Sequence, residues 1–439
     1  MRRILLAGVF ASLSTLGLST LGLSAPASAA DLPRADPASI GLDPHQLDAI
    51  TTKLDHDIAD HLIPGAVLIV MRHGKVGYEH AFGHRGLPPD AEQAGATQQG
   101  ASGEPMQSND IFRIYSMSKP ITVAAALTLI EAGKLRLDDP VAKYLPEFKT
   151  MQVGVPDPSA PDGMKLEPAK SPITVQDLFR HSAGLTYGFF GDTPVKKAYL
   201  KANLEAGDPD LATFVERLAK LPLGYQPGTT WDYSYAIDVI GRIVEVVSGQ
   251  SLYDYEKQHV LGPLDMQDTG FGVPDAARQG RIAEPFANDR NFGVNADFSD
   301  PRHPVKMQSG GGGMTSTAED YARFLQAMAN GGTLDGHRIL HPQTVRMMTS
   351  DQLGSVKPGP YYLPGPGYGF GLGVAVRTDA GVAPFPGDVG DWYWGGAGGT
   401  YMWVDPAREL VVVWMMQSPK QRLPYRSLLR DMVNAALVD

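Results

Sequence analysis

The sequence predicts an α/β (α+β) fold: an antiparallel sheet built from both ends of the chain, flanked by helices and interrupted by a mainly helical region. Three observations predict it. Strand-like runs bounded by turn residues lie soon after the start and again in the last third. Between them, residues 174–300 alternate helical patterns with Gly and Pro breaks. Strands at both ends with helices between require one sheet to gather both termini. The expected organisation is a sheet domain from residues 31–115 and 305–439, a mainly helical domain at 116–304, and an active site between them.

The elements follow in order. Arg2 and Arg3 precede an apolar run at residues 4–23 and the small-residue site Ala27-Ser28-Ala29, the pattern of a secretory signal peptide over residues 1–29. The alternative is an uncleaved anchor, which the Ser and Thr interruptions and the nearby cleavage site disfavour. An exported chain, periplasmic or secreted and without stable membrane insertion after cleavage, is expected. Leu47, Ile50, Leu54, Ile58 and Leu62 recur every three or four residues, predicting an amphipathic helix over 43–62 with Pro44 in its first turn. "PGAVLIVMRHGKVGYEHAFG" then reads as a hairpin turning at His73-Gly74, and the polar stretch 86–110 as a surface loop.

From Ser116 the pattern becomes helical and almost wholly apolar until Gly133, so this helix is buried. Residues 150–171, rich in Pro and Asp, read as a loop. "YGFGLGVAVRT", "DWYWGGAGGTYMWVDP" and "ELVVVWMMQS" read as three strand-like runs, with Asp405-Pro406 turning the second into the third, before a closing helix at about 425–437. Ser316 and Glu319 fit a helix capping box.

Composition narrows the function classes. The 439 residues carry 38 Lys and Arg against 48 Asp and Glu, a net charge of −10. Loss of Arg2 and Arg3 with the leader leaves 36 against 48, about −12. An acidic surface without basic runs argues against nucleic acid as a partner. The chain has no cysteine, so it has neither a thiol nucleophile nor thiolate metal sites, and an apolar core must hold the fold without disulfides. His56 and His61 are five apart, the wrong helical spacing for one ion, and read as part of an acidic solvated face. Neither metal nor cofactor is expected.

"IFRIYSMSKP" holds the candidate chemistry. Ser116 falls at the mouth of the buried helix, where free N–H groups and the helix dipole favour developing negative charge. Lys119 is one turn away on the same face, so its amine can take the serine proton, and a lysine among apolar neighbours can lose its own proton near neutral pH. One Ser-x-x-Lys is expected by chance in a chain of this composition, and Ser116 could equally cap the helix while Lys119 faces solvent. No serine has glycines two positions away on both sides, which excludes a nucleophile elbow. His181-Ser182 reads as a packed loop. Two further segments bear on the choice: "PGTTWDYSYAIDVIG", with Tyr233 and Ser234 in a turn before an apolar helix, and "WYWGGAGGTYMW", whose glycines imply that a ligand or another backbone comes close.

Ser-x-x-Lys at a helix start, Tyr-Ser about 115 residues on and a Gly-rich strand near the end resemble the serine β-lactamase and penicillin-binding protein superfamily. The chain is most similar within it to class C β-lactamases and family VIII carboxylesterases. "IPGAVLIVMRHGKVGYEHAFG", "LDDPVAKYLPEF", "LFRHSAGLT" and "SGGGGMTSTAEDYARF" carry the resemblance across nearly the whole chain. It implies a β-lactamase-like fold, with Ser116 as acylated nucleophile, Lys119 as base or proton relay and Tyr233 as proton shuttle. It implies an oxyanion hole from the N–H groups of Ser116 and Ala397. The family's Tyr-x-Asn reads Tyr233-Ser234-Tyr235 here, and its Lys/His-Thr-Gly reads Trp394-Gly395-Gly396. Both departures exchange polar recognition for aromatic surface, so Tyr235, Trp394, Gly395 and Gly396 are expected to bind an uncharged, partly apolar group, with Tyr187, Phe189 and Phe190 as further candidates. The "SGGGGMTST" loop is expected beside the site without a chemical role. The expectation is a carboxylesterase acting on a small-molecule ester of small to medium acyl length. The alternatives are a β-lactamase or D-amino-acid peptidase, or a non-catalytic binding protein of the same fold.

Overall fold

The computed structural model describes residues 31–86, 103–290 and 298–438. The predicted leader and most of the predicted 86–110 loop lie outside them. No described helix is long and apolar enough to cross a membrane.

The sheet does gather both ends of the chain. Strands β1 (Gly65–Arg72) and β2 (Lys75–Gly83) meet at His73-Gly74, whose φ values of 53° and 72° suit a two-residue hairpin turn. Five strands from the last third complete it: β3 (Tyr368–Phe370), β4 (Ala375–Arg377), β5 (Trp392–Gly395), β6 (Tyr401–Asp405) and β7 (Leu410–Met416). Their order is β3-β4-β5-β6-β7-β1-β2 with every neighbouring pair antiparallel. β1 and β7 pair from Ala66 with Met416 to Arg72 with Leu410. Both strands are buried along their whole length, so neither has a solvent face and each reads as a continuous apolar run.

The strand runs are more finely divided than the sequence predicts. "YGFGLGVAVRT" is two strands, because the backbone reverses at Gly371–Val374: Gly371 N–H bonds the Val374 carbonyl and Gly373 is left-handed at φ 78°. The second run also folds back on itself. Gly396 N–H bonds the Thr400 carbonyl at 2.8 Å, which separates β5 from β6. Residues 150–171, predicted as a loop, contain a hairpin pairing Gln152–Pro156 with Met164–Pro168, in which Val153 and Gly154 are buried and Val155 is not. The dense Pro and Asp mask its alternation, since they belong to the connecting turn.

Helix α1 (Pro44–Ala59) is capped by Asp43, whose carboxylate accepts from His45 N–H at 2.8 Å. Helix α2 (Ser118–Glu131) is buried from Ser118 through Leu127. It starts two residues later than the apolar pattern predicts, because Tyr115–Met117 form a 3₁₀ turn. In the region between β2 and β3, helix α3 (Leu211–Leu218) packs on α4 (Ala236–Ser248), and α4 packs beside α2. Helix α5 (Ala318–Ala329) lies on β7 and β1. Its cap is Thr317, whose hydroxyl accepts from Asp320 N–H at 3.1 Å; Ser316 is instead paired as a strand residue with Phe112, which displaces the predicted Ser316–Glu319 box. The closing helix α6 (Arg422–Ala435) packs on α1, with Tyr425 stacked on Trp414 of β7.

One contact between sheet and helices positions everything that follows. A Cβ on Gly396 would lie 2.4 Å from the Ile114 carbonyl oxygen, so only glycine lets the end of β5 sit flush against the turn that carries Ser116.

Candidate active site

The local backbone at Ser116 is strained. Tyr115 takes a left-handed φ of 44°, a conformation that costs a non-glycine residue on the order of 1–3 kcal/mol. Ser118 Oγ donates to the Tyr115 carbonyl at 2.7 Å and accepts from Met314 N–H at 3.1 Å, tying this turn to the glycine loop 310–313.

Lys119 is wholly buried, and its side-chain nitrogen is closely surrounded. Nζ lies 3.3 Å from Ser116 Oγ and 3.3 Å from the Tyr187 hydroxyl, donates to the Gly311 carbonyl at 2.5 Å, and lies 4.5 Å from the centre of the Tyr233 ring. The Gly311 carbonyl is itself held from behind. The buried Asp238 carboxylate accepts from Gly311 N–H at 3.1 Å and from Ser309 Oγ at 2.5 Å. Burial raises the Asp238 carboxyl above the ordinary aspartate range, while the charge of Lys119 pulls it the other way. A Cβ on Gly311 would fall 2.3 Å from Asp238 Oδ2, so the glycine is required by this close approach. The loop predicted to have no chemical role thus supplies the acceptor that orients Lys119.

Tyr233 follows the short strand Thr230–Trp231 and precedes α4. Its hydroxyl oxygen accepts a hydrogen bond from Trp394 Nε1 at 3.3 Å. Its ring packs edge-on against His181 at 4.8 Å. His181 is buried, with Nδ1 3.2 Å from Ser234 Oγ, and burial, aided by the Lys119 charge, pushes its pKa well below the ordinary histidine range. It therefore stays neutral and serves as packing.

Of the residues expected at the site, Ser116, Tyr233, Trp394, Gly395 and Ala397 line one pocket of about 270 Å³, with Phe189 and Phe190 on its wall. Lys119 sits beneath it. Tyr235 and Gly396 do not line it. Tyr235 packs behind the site, edge-on to Tyr187 at 4.3 Å and to Phe214 at 5.2 Å, because capping α4 turns it away. Gly396 serves close approach, as described above. Sequence reasoning missed Tyr187 as a partner of Lys119, Asp238 and Gly311 behind it, and the contributions of Leu363, Leu423, Arg422 and Arg426 to the wall. A signal existed for Asp238 alone: an acid in the first turn of an otherwise apolar helix.

A family model described as Beta-lactamase matches residues 50–435. Esterase EstB of Burkholderia gladioli is 32% identical over 422 residues, covering 91% of this chain and 98% of that protein. Protein Rv1367c of Mycobacterium tuberculosis is 38% identical over 364 residues, covering 81% and 86%. The solved structure of EstCE1, described as a hydrolase with promiscuous acyltransferase activity, superposes with a TM-score of 0.71 at 28% identity, covering 90% of this chain and 99% of that one. With a match over most of its length and an esterase of that family aligned nearly end to end, the chain belongs to the β-lactamase family, as a serine hydrolase.

Proposed function

We propose that this hydrolase is a carboxylesterase that cleaves small to medium acyl esters through a covalent acyl-enzyme on Ser116. The observation that carries the reading is the 3.3 Å approach of Lys119 Nζ to Ser116 Oγ at the base of an aromatic pocket that Tyr233 also lines. Ser116 Oγ attacks the ester carbonyl carbon, and its proton leaves through Lys119 and Tyr233. The carbonyl oxygen gathers negative charge facing the N–H groups of Ser116 and Ala397. The tetrahedral intermediate collapses, the C–O bond breaks, and the departing alkoxide takes a proton from the Tyr233 hydroxyl. Water, deprotonated by the same pair, attacks the acyl carbon, releases the acid and restores Ser116. The Trp394 bond to the Tyr233 hydroxyl supports this role, since a donor there fixes the position of the oxygen through which the proton passes.

We read the sheet segments 31–115 and 305–439 as one unit and 116–304 as the other, supported by Ser116 and Tyr233 coming from the helical side and Trp394 and Ala397 from the sheet. Export, to the periplasm or beyond the cell, is proposed on the leader pattern of residues 1–29.

Hydrolysis of a chromogenic butyrate ester and of a chromogenic cephalosporin, each by wild type and Ser116→Ala, tests the reading. The expected result is ester turnover that falls at least about 10³-fold in the variant. Robust cephalosporin turnover with little esterase activity would overturn the substrate class, and ester hydrolysis surviving in Ser116→Ala would overturn the mechanism.

A further inference from the structure

Gly311 holds Lys119, and a second contact holds the residue before Gly311. Thr122, one turn along α2 from Lys119, and Glu256, at the end of the short helix Leu252–Glu256, are both wholly buried. Thr122 Oγ1 lies 2.7 Å from Glu256 Oε1 and 3.2 Å from the Gly310 carbonyl oxygen. Glycine is what permits this approach, since a Cβ on Gly310 would fall 2.7 Å from Thr122 Cγ2 and 3.0 Å from its Oγ1. Neither Thr122 nor Glu256 has a part in the proton transfers at Ser116. Yet Glu256 Oε2 is buried with no partner, and a polar atom left in that state calls for a reason besides packing.

A hydroxyl carries one proton, and Thr122 has two acceptors within reach. A neutral carboxyl is an ordinary acceptor, so the proton is shared between Glu256 and the Gly310 carbonyl. A carboxylate forms a charge-assisted bond roughly twice as strong and draws the proton to itself. The Gly310 carbonyl then loses its side-chain donor, and the next carbonyl along, that of Gly311, is the one that orients Lys119. Burial pushes Glu256 up to about 8 while the Thr122 bond pulls it down, so both forms lie within an ordinary pH range. The elements packed around Glu256 carry Lys119 of α2, Asp238 and the Arg242–Glu245 pair of α4, and Tyr255, Lys257 and His259 of its own segment. Burial and Thr122 alone set its acidity, and none of those groups adds to it.

We propose that Thr122 and Glu256 are positioning residues for Lys119: while Glu256 is neutral the Thr122 hydroxyl braces the Gly310–Gly311 segment, and when Glu256 gives its proton to solvent the hydroxyl turns to the carboxylate and the brace is released. The brace is present at low pH and lost as the pH rises through the Glu256 ionisation. This rests on the reading that Lys119 activates Ser116, and it is independent of which acyl ester is cleaved.

The test follows Ser116 itself, by the second-order rate constant for its phosphonylation by a p-nitrophenyl alkylphosphonate, alongside kcat for butyrate-ester hydrolysis. Both are measured from about pH 6.5 to 9.5, on protein shown to be folded by circular dichroism at each pH. Glu256→Gln keeps a neutral acceptor throughout, so its rate relative to wild type is expected to rise at least about threefold across that range, within the roughly tenfold that one hydrogen bond represents. Other groups titrate in both proteins and cancel in the ratio. Thr122→Val removes the brace, so its kcat is expected to fall by about tenfold at the acid end with KM nearly unchanged. That deficit is expected to shrink as the pH rises, since ionised wild type has lost the same contact. A smaller rise for Glu256→Gln, or a Thr122→Val deficit that is absent at the acid end or persists unchanged to the alkaline end, would overturn the proposal. A pair that only stabilises the fold would shift the unfolding midpoint and leave the pH profile of the folded enzyme alone. Should one variant fail to fold, the other decides. Phosphonylation that follows the expected pattern without butyrate turnover upholds the brace and counts against the esterase reading only. Butyrate hydrolysis with flat ratios overturns the brace and leaves that reading intact, and a Ser116 that does not react at all overturns both.

Discussion

Lys119 is oriented by a chain of contacts of which the sequence showed only the first. Ser116 and Lys119 were legible because three residues make one helical turn; Gly311 and Asp238 were not, because a carbonyl 192 residues away carries no side-chain signature. Asp238 holds the Gly311 peptide, and Gly311 holds Lys119. Gly311→Ala must move that peptide, since its Cβ would meet Asp238 Oδ2 at 2.3 Å. Misplacing a catalytic group by about 1 Å costs about 10²-fold, so kcat for butyrate-ester hydrolysis is expected to fall by about that factor. An unchanged kcat in a folded Gly311→Ala would contradict the positioning account. Trp394→Phe keeps the aromatic wall and removes one donor from the Tyr233 hydroxyl. It is expected to lower kcat by about tenfold, on the scale of 1–1.5 kcal/mol for one hydrogen bond, with a smaller change in KM. A change in KM alone would assign Trp394 to substrate binding only.

Among the elements, the helices and the N-terminal hairpin were legible and the C-terminal strands only in outline. Apolar period and a two-residue turn at His73-Gly74 specify β1 and β2 locally, whereas Gly371–Val374 and Gly396–Thr400 turn because of what they press against. At Gly371 that neighbour is the Met348 carbonyl, 2.2 Å from a Cβ built there, a constraint visible only in three dimensions. The start of β5 is fixed by a wholly buried cluster: Asp391 accepts from Arg377 Nε at 2.7 Å, from Arg430 Nη1 at 3.1 Å and from the Tyr368 hydroxyl at 2.8 Å. This joins β3, β4 and β5 to α6. Asp391→Ala would leave two buried guanidinium groups uncompensated, and a loss of about 3–5 kcal/mol in denaturant unfolding is expected. A loss under about 1 kcal/mol would show that the cluster does not hold β5 in place.

The whole molecule is closed by the pairing of β1 with β7, which brings the two ends of the chain together and sets β5 against the start of α2. The family resemblance made this architecture legible; the presence of Arg422 and Arg426 in the pocket wall was not, because α6 reads from sequence as an ordinary amphipathic closing helix. Beneath the site lies Glu256, fully buried, accepting from Thr122 Oγ1 at 2.7 Å and pushed up to about 8 by burial. Its folded pKa lies above the unfolded value of 4.5, so its contribution is intact below about pH 4.5 and is lost as the pH rises towards 8. Each unit of the difference is worth roughly 1.4 kcal/mol. Glu256→Gln keeps the acceptor and abolishes the ionisation, so its stability relative to wild type is expected to grow between pH 5 and pH 8 and then level off. A gap that is independent of pH would show that Glu256 is not held protonated.

The central claim is that catalysis passes through an acyl group on Ser116. Mass spectrometry of the protein trapped with an alkylphosphonate ester, followed by peptide mapping, tests it most directly. The account predicts one adduct, on Ser116, absent from Ser116→Ala together with ester hydrolysis. An adduct on another residue, or hydrolysis that persists in Ser116→Ala, would contradict it.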